Sequence, residues 1–190
     1  MAEKMTLEDR QALRMLAPGA VALLTSMYHD QPNVMTAGWL LSVSFAPTYV
    51  GVAIQPSRLS HEFVTKTEQF ALNFPNIDLL AAVHRCGMTS GRDEDKFETA
   101  ELNPEEAAEI EAPLVAECVG HIECGVIDRI TFGDHDLFVG RVLAVSALDE
   151  AFGETWQVET DAGQLLHHLG GDHYASLSKA YRATAVAELG

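Results

Sequence analysis

Residues 114–148 read LVAECVGHIECGVIDRITFGDHDLFVGRVLAVSAL, and no other part of the chain sustains so long an apolar alternation. Ile122, Cys124, Val126, Ile130 and Phe132 share one parity, Gly133-Asp134 interrupts it, and Leu137, Val139, Leu143 and Val145 resume alternation. Side chains two apart face one side of a strand, and a Gly-Asp pair between alternating runs signals a tight turn. The stretch therefore predicts a long β-hairpin.

Upstream, residues 21–27 read as a strand, 29–32 as a turn and 33–45 as a second extended stretch, together a hairpin. Pro47 breaks the pattern, and 48–54 is a third, nearly all-apolar strand of the kind buried on both faces. Ser57 or Ser60 is placed to cap a helix running to about Thr67, since a hydroxyl there accepts from unpaired N–H groups. Residues 70–74 predict a short strand; Asn76 opens a helix carrying Leu79, Leu80, Ala82 and Val83 and ended by Cys86-Gly87.

The remaining segments are weaker in pattern. Residues 90–98 are charged and turn-like, and 104–110 predict a surface helical turn bearing a run of Glu. Near the start, Leu7, Leu13 and Leu16 with Glu8 and Asp9 predict a short amphipathic helix ended by Pro18-Gly19. The tail, 160–190, reads as helical pieces broken at Gly170-Gly171. Most strand connections are too short to hold a helix, which favours an antiparallel barrel over a βαβ sheet. The expected fold is mainly β with short α-helices, in one domain over 1–190 with its core at about 17–150 and a helical tail at about 151–190.

Composition narrows the function classes. The 190 residues carry 12 Lys+Arg against 28 Asp+Glu, a net charge of −16 that disfavours phosphate backbones and anionic membranes as partners. The three cysteines, Cys86, Cys118 and Cys124, cannot all pair within one chain and form no C-x-x-C. The opening residues lack the apolar run of a signal peptide, and no stretch approaches the roughly 18 apolar residues of a membrane helix. A cytoplasmic protein without nucleic-acid or membrane partners is expected.

Nucleotide and nucleophile signatures are absent: no G-x-G-x-x-G follows a strand, and there is no G-x-x-x-x-G-K and no G-x-S-x-G. His167, His168, Asp172 and His173 cluster in sequence, but Gly170-Gly171 interrupts any shared face and no metal site is expected. What stands out is a series of polar residues within apolar strands and at their ends. Asn33, Thr36 and Trp39 precede Ser42 and Ser44; Ser57-Arg58-Leu59-Ser60 follows the third strand; Asn73-Phe74-Pro75 ends the fourth. Singly, each reads as a turn or cap residue.

Taken in order they resemble a family. The run 17–25 (APGAVALLT) followed by 33–39 (NVMTAGW) is similar to the opening of the flavin reductase-like FMN-binding split barrels, the flavoredoxin branch in particular. The likeness continues through Ser57-Arg58-Leu59-Ser60, Asn73-Phe74-Pro75, Cys86-Gly87, Ser90-Gly91, Asp95-Lys96-Phe97, Ala112-Pro113, Glu123-Cys124, 133–140 (GDHDLFVG) and 169–174 (LGGDHY).

The resemblance implies a six-stranded antiparallel split β-barrel with FMN bound noncovalently near a homodimer interface. By it Asn33, Thr36 and Trp39 would meet the flavin, Ser57 and Ser60 the phosphate or ribityl hydroxyls, and Lys96 would add positive charge; His135 matches the turn between the long strands. Physical chemistry is consistent with this, since a near-dianionic phosphate in a chain of charge −16 needs local cations, for which Arg58, Arg92 and Lys96 are candidates. Read without the family, Trp39 is also a core aromatic, and Lys96 within Asp93-Glu94-Asp95-Lys96 is also part of a solvated charge run. Phe45, and His167-His168 in place of an apolar or aromatic lid, depart from the family and leave the electron donor open.

The implied activity is an NAD(P)H-dependent flavin oxidoreductase, with the chemistry done by the flavin and no catalytic side chain required. The rival is an FMN electron carrier served by a redox partner protein and lacking NADH or NADPH activity.

Overall fold

The computed structural model describes Met5 and residues 8–183. A short helix α1 (Asp9–Leu16) leads into β1 (Gly19–Ala20), β2 (Ala22–Tyr28), β3 (Gln31–Ala37), β4 (Leu40–Phe45) and β5 (Thr48–Ile54). Helix α2 (Leu59–Thr67), β6 (Gln69–Phe74), a 3-10 turn (Ile77–Leu79), α3 (Leu80–Met88) and α4 (Lys96–Thr99) follow. The chain closes with β7 (Pro104–Glu105), β8 (Leu114–Val115), β9 (Gly120–Phe132), β10 (His135–Ala147), β11 (Leu166–Gly170) and β12 (His173–Ser176). Leu7 and the expected helical end at 184–190 lie outside the described residues.

The expected long hairpin is β9–β10, turned at Gly133-Asp134, where Gly133 takes φ 58° without steric cost. One antiparallel sheet runs in the order β3-β2-β6-β9-β10-β5-β4. Its two edges, β3 and β4, are consecutive in sequence and joined only by Gly38-Trp39, so the sheet must curl until its edges nearly meet. The result is a split barrel of seven strands rather than six: Gly38-Trp39 divides the stretch expected to be one strand over 33–45.

Two cores lie on opposite faces of β2. Ala22, Leu24, Val52, Ile54, Phe70, Cys124 and Phe138 form one cluster; Val21, Leu23, Val34, Val83, Cys86, Phe97 and Cys118 form the other. The strand buried on both faces is thus β2, not the 48–54 strand, where Thr48 is exposed and only Gly51, Val52 and Ile54 are buried. Register shifts between Val139 and Gly140, and between Val142 and Ala144, end the simple parity of the hairpin. Cys124 stays buried, while Ile130, Phe132, Leu143 and Val145 are exposed.

Two further expectations fail. Residues 104–110 form no helix: β7 pairs with β8, and the buried Glu123 carboxylate accepts from the N–H groups of Ala108 (3.1 Å) and Glu109 (2.7 Å). The tail is not helical over 166–176 but forms the β11–β12 hairpin, because β1 offers an edge on which β11 pairs, Gly19 opposite His168. No helix among the described residues is long and apolar enough to cross a membrane.

Candidate functional site

Beside β3, the start of α2, the end of α3 and the loop to α4 enclose a cavity of about 200 Å³. Asn33, Thr36, Ser57, Ser60 and Lys96 all line it, together with Arg58, Cys86, Thr89, Ser90 and Gly91. Helix α2 has Arg58 as its N-cap and no side-chain cap, so neither Ser57 nor Ser60 caps it. The His61 N–H of its first turn donates to the Arg58 carbonyl at 3.1 Å, and those of Leu59 and Ser60 precede any i−4 partner in the helix, which gives this end of the cavity an affinity for anions.

Lys96 decides the character of the cavity. Its neighbours in the charge run are engaged elsewhere: Glu94 with Arg85 at 3.1 Å, and Asp95 as the cap of α4, accepting from the N–H groups of Phe97 and Glu98. Lys96 itself is only 5% exposed, and its Nζ donates to the Cys86 carbonyl at 3.1 Å. Among the described residues no carboxylate pairs with it. Burial holds its ammonium below the ordinary lysine range, opposed by its attraction to Cys86. A buried cation without a counter-ion beside hydroxyls and a helix N-terminus fits a phosphate.

Asn33 and Thr36 build this wall. Asn33 Nδ2 donates to Ser60 Oγ at 2.6 Å, fixing the first turn of α2, and the Thr36 hydroxyl donates to the Val83 carbonyl of α3. A Cβ at Gly91 would lie 2.0 Å from Asn33 Oδ1, so any larger residue there must displace the Asn33 side chain. Ser57 is exposed and its hydroxyl donates to Gln55 Oε1 at 3.2 Å.

A second cavity of about 300 Å³ shares Thr36, Arg58 and Gly87 with the first and adds Val21, Trp39, His84, Met88, His168 and Tyr174. Tyr174 packs between His84 and His168, with centroids 6.1 and 5.2 Å away. The two spaces together offer a cationic, hydroxyl-rich end and an aromatic end, the polarity of a phosphorylated planar cofactor. Nothing in the sequence singles out His84, and Tyr174 enters only as the end of the 169–174 motif, because α3 and β12 meet only in the fold.

His135 lines neither cavity. It sits at the hairpin turn, with its ring 4.5 Å from that of Trp39 and its Nδ1 2.8 Å from Asp134 Oδ1. Arg92 pairs with Glu62 at 2.9 Å instead of lining the cavity, leaving Arg58 and Lys96 as its cations. Asn73 is an internal tie: it donates to the Leu23 carbonyl and Thr25 hydroxyl, accepts from Val115 N–H, and Oδ1 lies 2.9 Å from His121 Nδ1. Ser42 and Ser44 lie on the edge strand β4, lining neither cavity. Cys86 is buried, and burial pushes its thiol up to about 11. No cluster of metal-ligating side chains occurs among the described residues, His167, His168, Asp172 and His173 included.

Comparison with known proteins places these features in context. Residues 14–176 match the model of the flavin reductase like domain. An uncharacterized protein of Pyrococcus abyssi is 34% identical over 173 residues, covering 91% of this chain and 99% of that one. An NADH-dependent FAD reductase of Streptomyces globisporus is 30% identical, covering 76% of this chain and 80% of that one. Among solved structures, the FMN-binding protein from Thermus thermophilus with bound p-hydroxybenzaldehyde superposes at TM-score 0.82 with 26% identity, covering 97% of this chain and 100% of that chain. The flavoredoxin from Methanosarcina acetivorans shares the fold at TM-score 0.82 with 24% identity, covering 98% and 97%.

Proposed function

The chain belongs to the flavin reductase-like domain family, and from that premise we propose that it is a cytoplasmic flavoprotein that binds FMN noncovalently and works as an NAD(P)H-dependent flavin oxidoreductase. The observation that carries this reading is buried Lys96, without a salt bridge to any described carboxylate, in a cavity that shares lining residues with an aromatic one. The 26% identical FMN-binding protein supports the cofactor, and the NADH-dependent FAD reductase supports a nicotinamide donor. FMN, when bound, would supply the redox chemistry between NADH or NADPH and free flavin or another acceptor.

The chain's own residues bind, orient and shield. Lys96, Arg58, Ser57 and Ser60 hold the phosphate end, with Asn33 fixing Ser60. Trp39, Met88 and Tyr174 flank the planar end and restrict water, and Thr36 lines both cavities while tying β3 to α3. His135 packs against Trp39, with ring centroids 4.5 Å apart. A missing Rossmann signature agrees with a nicotinamide that binds against the flavin rather than in a dinucleotide fold.

Assembly is part of the proposal. Edge strand β4 exposes Leu41, Val43 and a fully exposed Phe45, and the hairpin exposes Ile130, Phe132, Leu143 and Val145. An unpaired edge and an apolar outer surface are features that self-association covers, and a homodimer is the simplest closed solution.

Anaerobic titration of the reconstituted protein tests the activity. Rapid loss of flavin absorbance with NADH or NADPH supports the oxidoreductase. Bleaching only by a reduced redox protein would replace it with the electron-carrier reading, and a protein that takes up no FMN would overturn both.

A further inference from the structure

The β9–β10 hairpin sends two neighbouring side chains in different directions, as strand alternation requires. His135 reaches Trp39, whereas Asp136 is buried and its Oδ2 lies 2.8 Å from His61 Nε2. His61 follows Ser60, the residue whose hydroxyl Asn33 engages in the first turn of α2. One turn further along α2, the Thr65 hydroxyl accepts from Arg129 Nη1 at 3.1 Å, and Arg129 Nε stands 3.7 Å from the same Asp136 oxygen. The His61 ring also meets Phe138 edge-on at 5.2 Å.

Asp136, Arg129 and His61 thus tie one side of α2 to the hairpin, yet none of them lines the cavity. The tie matters because α2 has no side-chain cap of its own and presents Ser57, Arg58 and Ser60 at its opening. A buried polar contact sets the desolvation of its groups against the bond it makes, so its net stability is small and what it supplies is geometry. We propose that His61 and Asp136 are positioning residues that set the placement of the α2 first turn against the phosphate of the bound cofactor. This rests on the reading that the phosphate lies at Lys96 and Ser60.

The experiment compares FMN with riboflavin, which lacks the phosphate, by fluorescence titration of the full chain. His61→Ala should weaken FMN about tenfold and riboflavin by less than about twofold. His61→Gln, whose amide nitrogen can reach the place of Nε2, should restore FMN binding to within about threefold of wild type. If His61→Ala does not fold, the isosteric Asp136→Asn carries the test, with an expected FMN-specific loss of about threefold. Equal weakening of both flavins, or no recovery with glutamine, overturns the positioning role. A wild type with no preference for FMN over riboflavin overturns the phosphate reading itself. If Lys96→Met loses that preference while His61→Ala keeps it, the positioning proposal alone fails.

Discussion

Replacing Lys96 by Met separates binding from folding more sharply than any other change. The ammonium is 5% exposed, donates to the Cys86 carbonyl and forms no salt bridge with a described carboxylate. Removing it should cost FMN a charge-assisted bond of about 1.5 to 3 kcal/mol, or roughly a 10- to 150-fold loss of affinity. Riboflavin should be nearly unaffected. The apo-protein should tolerate the change, since methionine fills the same channel while removing a buried charge, at the expense of one carbonyl partner. The pH dependence follows from the lowered pKa of Lys96. Between its folded value and the ordinary 10.5 the native chain holds fewer protons than the unfolded one, so its contribution to stability grows as pH rises through that window. Melts of wild type and Lys96→Met against pH, with isothermal titration of both flavins, measure these effects. Unchanged FMN affinity in the variant would refute the phosphate assignment, and equal loss of both flavins would make Lys96 a structural residue.

Three other expectations follow from the same geometry. Sedimentation at micromolar concentration should show a homodimer, which Phe45→Glu shifts toward monomer; a wild-type monomer with FMN bound would contradict the assembly. All three thiols are buried and burial raises each, Cys86 to about 11 and Cys124 to about 12, so a thiol reagent at neutral pH should label none quickly and conversion of all three to Ala or Ser should spare flavin reduction. Gly91→Ala should drive Asn33 off Ser60 and lower FMN affinity by about tenfold or more, as read by flavin fluorescence; wild-type affinity would show that the loop yields freely.

Local chemistry by itself determined the hairpin, its turn at Gly133-Asp134, the 48–54 strand and helix α2, because each follows from alternation, a positive φ or a nearby breaker. The resemblance to the flavin reductase-like barrels, not local pattern, made Asn33, Thr36, Ser57, Ser60 and Lys96 candidates, and those five line one cavity. The tertiary structure decided matters that depend on distant partners. Arg85 engages Glu94 and Asp95 turns to cap α4 while Lys96 is buried, so a charge run that reads as solvated delivers a cation inward. Residues 166–170 are a strand because Gly19–Ala20, far away in sequence, supply an edge for them to pair with. Tyr174 reaches His84 through that same hairpin, and His135, at the turn of the long hairpin, packs against Trp39 from a distant part of the chain. Spacing reports what one element can present to its surroundings; which partner receives it is settled by packing between elements that sequence keeps far apart.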